Sequence, residues 1–161
     1  MLFFYDIFFG HDLYGDYQIE TLFRDRIVAV GSPDFLKKVG SDVHQYPDNC
    51  FIHTNWGRGF ASSPNWEAVF QGQRIIERHL GMSVKTSSTA LNLARFGHGV
   101  SLLPFEMAQD DLRLGRIQIV ETTPIEMTSA YQIAYPKRLK FHPVVNEVLA
   151  RLAQESGCGP S

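Results

Sequence analysis

Only two cysteines occur in the 161 residues, Cys50 and Cys158, far apart and neither in a CxxC or Cys/His cluster. A disulfide-stapled fold and a thiolate metal site both lack their usual framework. An excess of one charge is missing too: 15 basic and 17 acidic side chains leave a net charge of -2. A nucleic-acid-binding domain ordinarily carries a basic excess or stripe, so a small solute is the better expectation. No apolar run is long enough to span a bilayer. The apolar start, Met1 to Gly10, has no basic residue ahead of it and is interrupted by Asp6, so it does not read as a signal peptide. The cytoplasm is the default compartment, with no membrane partner.

Catalytic motifs are missing as well. There is no GxSxG elbow and no HExxH, which leaves serine-hydrolase and zinc-protease chemistry without a local motif. Gly97-His98-Gly99 begins like a dinucleotide-binding string, but Leu102 stands where the third glycine belongs. The string also follows a helix and precedes a strand, the reverse of the dinucleotide-binding order, and reads better as a helix cap with a tight turn. The histidines (His11, His44, His53, His79, His98 and His142) are scattered, with no i, i+4 pair. No metal, no cofactor and no catalytic residue is expected, and the chain is read as a non-enzyme.

What is present is a foldable pattern, with 44% hydrophobic and 20% charged residues. Strands are expected at Phe3 to Phe9, Arg26 to Val30, Cys50 to His53, Met82 to Lys85, Val100 to Leu103, Ile117 to Val120 and Tyr131 to Tyr135. Between them, Pro33 opens a short helical turn and Ser63-Pro64 offers an N-cap followed by proline. Thr86-Ser-Ser-Thr89 supplies several cap candidates for a helix ending before Gly97. Phe105 to Leu112 is a short helix. Pro143 opens a last helix with Val144, Val145, Val148, Leu149 and Leu152 at helical spacing. This alternation with short links predicts an α/β fold with a mainly parallel sheet.

The stretch Met82 to Pro104 (MSVKTSSTALNLARFGHGVSLLP) resembles the strand, Ser/Thr-led helix, Gly-x-Gly turn and apolar strand of LysR-type sensing domains. The likeness extends to Tyr5 to Gly10, to Leu22 to Pro33, and to Tyr131 to Pro136 with Phe141 to Pro143. It implies a periplasmic-binding-protein-like two-lobe sensing domain with mixed sheets and an incomplete first lobe. Residues 1-26 and 128-155 would be the remnant of the first lobe, 27-127 the second lobe, and 156-161 a flexible tail. It further implies a regulatory module that binds a small effector in an interlobe cleft, forms a homodimer or higher oligomer, and reaches DNA only through a helix-turn-helix absent from this chain. The alternative is a solute-binding protein of a transport system.

Helix N-termini favour anions, because their amides are free and the dipole end is positive. Ser87, Ser88 and Thr89 sit at such an end, after a strand. His53, Thr54 and Asn55 follow another strand and offer further hydrogen bonds. By family position Gly10 and His11 would face the cleft from the other lobe, with His11 pairing a carboxylate when protonated. Phe105 would line the cleft, whereas Trp56 and Trp66 read as packing residues. The effector would then be a small anion. The missing basic stripe generates a first prediction: a gel-shift titration of this chain at moderate salt shows no specific nanomolar complex with duplex DNA.

Overall fold

The computed structural model describes residues 6–9, 15–55, 64–127 and 130–155. In chain order the strands and helices open with β1 (Asp6–Phe9), β2 (Tyr17–Phe23), β3 (Arg26–Gly31), α1 (Pro33–Val39), β4 (Phe51–Thr54), α2 (Trp66–Phe70) and β5 (Met82–Val84). They continue with α3 (Ser87–Arg95), β6 (Val100–Pro104), α4 (Phe105–Arg113), β7 (Gln118–Glu126), β8 (Tyr131–Pro136) and α5 (Pro143–Glu155). Arg26–Met127 forms one compact unit and the flanking segments form another. No helix among the described residues is long and apolar enough to cross a membrane.

The central unit is built on a five-stranded sheet in the order β5-β4-β6-β3-β7. Strand β4 runs parallel to β5 and β6, while β3 runs antiparallel to both β6 and β7. The sheet is therefore mixed, as the family resemblance implies, and not mainly parallel as the strand-helix alternation alone predicts. The cause is topological: β3 begins opposite the end of β6, with Ile27 against Pro104, so it must run the other way. Strand β7 then brings the chain back to the same edge, Glu126 pairing with Arg26.

Both faces of this sheet are covered. On one, Val28, Val30, Ile52 and Leu103 pack with Ala90 and Ala94 of α3, Ala108 of α4 and Ile117. The small alanines let helix backbone approach the strands closely. An aromatic cluster elsewhere in the unit joins Phe51 to Trp66 at 4.8 Å and to Phe70 at 5.9 Å between ring centroids. Trp66 is core, as the sequence suggests, and its indole N–H donates to the Ile52 carbonyl at 3.1 Å. Arg74 closes the loops beneath this cluster. Its guanidinium donates to the carbonyls of Val43, His44 and Tyr46 and to the Asp48 carboxylate, and lies over Phe51 at 5.1 Å. Cys50 is a buried free thiol.

Caps explain where the helices start and stop. Ser32 caps α1, accepting from Phe35 N–H at 3.3 Å, with Pro33 at the first helical position. Helix α2 departs from expectation: Asn65 is its cap, accepting from Ala68 N–H at 2.8 Å, so Pro64 lies one residue before the cap rather than inside the helix. An Asn oxygen is as good a cap as a serine hydroxyl, and here it sits directly ahead of the buried Trp66. Gly97 ends α3 at φ +77°, with the paired bonds Gly97 N–H to Ala94 and His98 N–H to Leu93 that define a Schellman turn. The Gly97-His98-Gly99 string is thus a helix stop and a strand entry.

The flanking segments form a three-stranded antiparallel sheet, β1-β8-β2. Strand β2 was not expected, although Tyr17, Ile19 and Thr21 alternate with Gln18 and Glu20. The Tyr135 hydroxyl donates to the Glu20 carboxylate across β8 and β2. Burial first, then that bond and the Glu20 charge, push the Tyr135 hydroxyl up to about 12. Helix α5 covers this sheet through Val145 and Leu149 against Tyr135 and Leu139.

Two glycines admit β4 between its neighbours. A Cβ on Gly99 would lie 2.4 Å from the Cys50 carbonyl oxygen, and one on Gly81 2.4 Å from that of Phe51. Gly99→Ala should therefore cost about 2 kcal/mol or more, combining overpacking with a φ of +158°. Gly115→Ala, with the same kind of φ penalty but open space around it, should cost only about 1 kcal/mol. Urea melts of the two variants check the difference; equal losses would refute the close-approach argument.

Candidate functional site

The parallel trio β5-β4-β6 ends on one edge of the central sheet. Thr54 is in register with Val84, and the Asn55 N–H donates to the Val84 carbonyl at 2.8 Å. Strand β6 ends at Pro104 and passes directly into Phe105. Each of the three strands thus delivers its following residues to the carboxyl edge, where open α/β sheets hold their ligands. Thr54 and Asn55, Ser87 to Thr89, and Phe105 all follow this edge.

The start of α3 is more specific than the sequence suggests. Thr86, in extended conformation, is the cap: its hydroxyl oxygen accepts from Thr89 N–H at 3.2 Å. The same oxygen lies 2.8 Å from the Thr89 hydroxyl and 3.1 Å from the Ser88 hydroxyl. Three exposed hydroxyls therefore form one cluster, with Thr86 at its centre. Ser87 is half-buried. The amides of Ser87 and Ser88 occupy the first helical positions, which have no intrahelical acceptor. Thr86 was among the cap candidates but was not named as a contact residue; the signal that singles it out is its place immediately ahead of the first helical residue.

His53 is placed differently from its neighbours. It is 4% exposed, on the interior of β4, and the built Cβ of Gly81 would lie 3.1 Å from its Nε2. Its Nε2 and the Thr54 hydroxyl have no hydrogen-bond partner among the described residues. Both border a small cavity with Asn65, Trp66, Arg78 and Leu102. Burial first, and the Arg78 charge second, hold the His53 imidazole below its ordinary value of 6.5; Glu67 and Asp48 oppose this shift. His53 is thus a neutral interior group.

Phe105 is half-buried against the α3 and α4 face of the core. The Arg26 guanidinium lies 4.1 Å above its ring centroid, so one face of the ring is occupied by a cation. Lys85, exposed and one residue before the cap, adds a second positive charge to this edge. Neither cation was singled out in the sequence. Gly10, His11 and Trp56 lie outside the described residues.

A family model described as the LysR substrate binding domain matches residues 6–157. Among solved structures, the effector domain of the transcriptional regulator AmpR of Pseudomonas aeruginosa is 19% identical, with 95% of this chain and 72% of that one covered and a TM-score of 0.67. The AmpR effector binding domain from Citrobacter freundii is 20% identical, with coverages of 93% and 72% and a TM-score of 0.67. Full-length LysG from Corynebacterium glutamicum, with bound effector Arg, is 16% identical, with coverages of 91% and 49% and a TM-score of 0.60. No curated protein sequence matches the chain. These likenesses show the fold, a mixed-sheet α/β architecture of the periplasmic-binding-protein kind.

The buried His53 generates a pH prediction. Because its folded value is depressed, the unfolded chain binds its proton more readily. Its contribution to stability is therefore complete above 6.5 and is lost as pH falls through the folded value. Denaturant melts between neutral and mildly acid pH should show a shallower acid loss for His53→Phe than for the parent. Identical pH slopes would show that His53 does not titrate as a buried neutral group.

Proposed function

Since the chain belongs to the LysR substrate-binding domain family, we propose that it is the effector-sensing part of a cytoplasmic LysR-type transcription regulator and that its effector is a small anion. One observation carries the anion reading: the Thr86, Ser88 and Thr89 hydroxyl cluster at the start of α3, on the carboxyl edge of three parallel strands. Free helix amides there favour negative charge. Lys85 supplies a nearby cation, and Thr54 and Asn55 offer further hydrogen-bonding groups from the adjacent strand end.

In this reading the effector's anionic group meets the Ser87 and Ser88 amides, and the hydroxyls of Ser88 and Thr89 fix its orientation. The chain acts as a homodimer or higher oligomer, and contact with DNA belongs to a helix-turn-helix outside it. Nothing in the reading requires a covalent step: binding energy biases a regulatory equilibrium, and the solute leaves unchanged.

The test begins with a thermal-shift screen of amino acids and small mono- and dicarboxylates, followed by calorimetry on the strongest hit. Ser88→Ala and Thr89→Ala should each weaken binding of that hit by about tenfold or more, as expected for a lost hydrogen bond to a charged group. Thr86→Ala should cost about 1 kcal/mol of stability through the lost cap. If Ser88→Ala and Thr89→Ala leave affinity unchanged, these residues are structural and the anion site lies elsewhere. A hit that is cationic or wholly apolar would sink the reading outright.

A further inference from the structure

The end of the central sheet away from the carboxyl edge carries a second concavity. A groove of about 550 Å³ opens where β3 hands over to α1, where α3 stops at Gly97 and where α4 stops at Gly115. That volume lies within the roughly 300–1,000 Å³ of small-molecule sites. Its walls carry the cations Lys38, Arg95 and Arg116 and the rings of Phe35 and Phe96.

The charges in this groove do not balance. Arg116 donates through Nε to Asp111 Oδ1, and Arg95 approaches the same oxygen at 3.6 Å. Asp111 is 5% exposed, so one buried carboxylate anchors two guanidiniums. Asp34, the acid on the wall itself, lies 3.7 Å from Lys37. Lys38 has no carboxylate partner among the described residues. Lys38, Arg95 and Arg116 against Asp34 and the buried Asp111 leave a surplus of one positive charge at the groove.

The arginines are also held in place before any ligand arrives. Arg95 donates to Asn92 Oδ1 at 2.8 Å and lies 5.2 Å from the Phe96 ring centroid. Arg116 follows the α4 Schellman turn, where its own N–H bonds the Asp111 carbonyl at 2.9 Å. Phe96 is 71% exposed at the end of its helix, a position that packing within this unit does not explain. Preorganised guanidiniums lose less entropy on binding than free ones and suit multi-oxygen anions. A phosphate monoester offers three terminal oxygens to this donor set and negative charge to answer the surplus.

We infer that this groove is a second solute site, separate from the carboxyl edge, which takes a phosphate monoester of an aromatic compound. The phosphoryl group lies among Lys38, Arg95 and Arg116, and the aromatic part lies on Phe96. The site does not depend on the effector reading, since no residue is shared.

The probe is phenyl phosphate, titrated into the whole chain by calorimetry. The parent should bind it saturably, with affinity falling as salt is raised, and should not bind phenol. Lys38→Gln, which disturbs no described ion pair, should weaken binding about tenfold. Arg116→Gln should do the same; because it also unbalances Asp111, its fold is checked by circular dichroism and the Lys38→Gln result decides. Ser88→Ala should bind phenyl phosphate as the parent does. Absence of saturation at millimolar concentration, equal affinity in the parent and Lys38→Gln, or a loss confined to Ser88→Ala would each overturn the assignment.

Discussion

The close seating of β4 between two glycines is the constraint on which the rest of the central unit depends. Gly81 and Gly99 precede β5 and β6, and each leaves room for a carbonyl at the start of β4, of Phe51 and of the preceding Cys50, where a side chain would collide. With both neighbours locked to the same short strand, the three carboxyl ends fall level with one another. The hydroxyl cluster at the start of α3, the Asn55 turn and Phe105 inherit their common edge from that alignment. A slip in register would turn Ile52 out of the α3 core and His53 into it, so the apolar packing and the edge geometry enforce one another.

Much of this was legible in the residues. The Thr/Ser run before α3, Gly97 after it and Pro104 at the end of β6 each have a local physical meaning. The buried strands announce themselves as runs such as Ile27 to Val30 and Val100 to Leu103. Strand β2 was missed because its pairing partner, β8, lies more than a hundred residues further on, and its alternation is half polar. The antiparallel course of β3 was missed for a related reason: strand direction is fixed by where the chain enters and leaves the unit, which local pattern does not encode. In sequence His53 ends a strand beside Thr54 and Asn55 and reads as one of a polar trio offering hydrogen bonds. Only the pairing of β4 with strands on both sides reveals it as interior.

Carboxylates organise the unit's arginines in two places. Asp48 accepts from Arg74 and, through its other oxygen, from the Glu77 N–H at 2.9 Å; that backbone bond and then Arg74 hold its carboxyl below the usual range. There the arginine is spent inward, stapling loops under the aromatic cluster. Asp111 works the other way, turning two guanidiniums toward a groove open to solvent. Neither grouping is visible as a motif, because the partners are 26 residues apart in the first case and Arg95 joins Asp111 and Arg116 from a different helix end in the second. The helix start is legible in sequence because its residues are contiguous, and the residues of the cationic groove are not.

The pairing of Arg26 with Glu126 means that the first and last strand residues of the central unit are neighbours on one ladder. A segment whose ends meet side by side can be spliced between two adjacent residues of a host without pulling the host apart. The central unit is thus a natural cassette. Placed in a surface loop of a fluorescent or enzymatic reporter, it would need only short joints, and the host would feel any change in its breathing through two strands already bonded to each other.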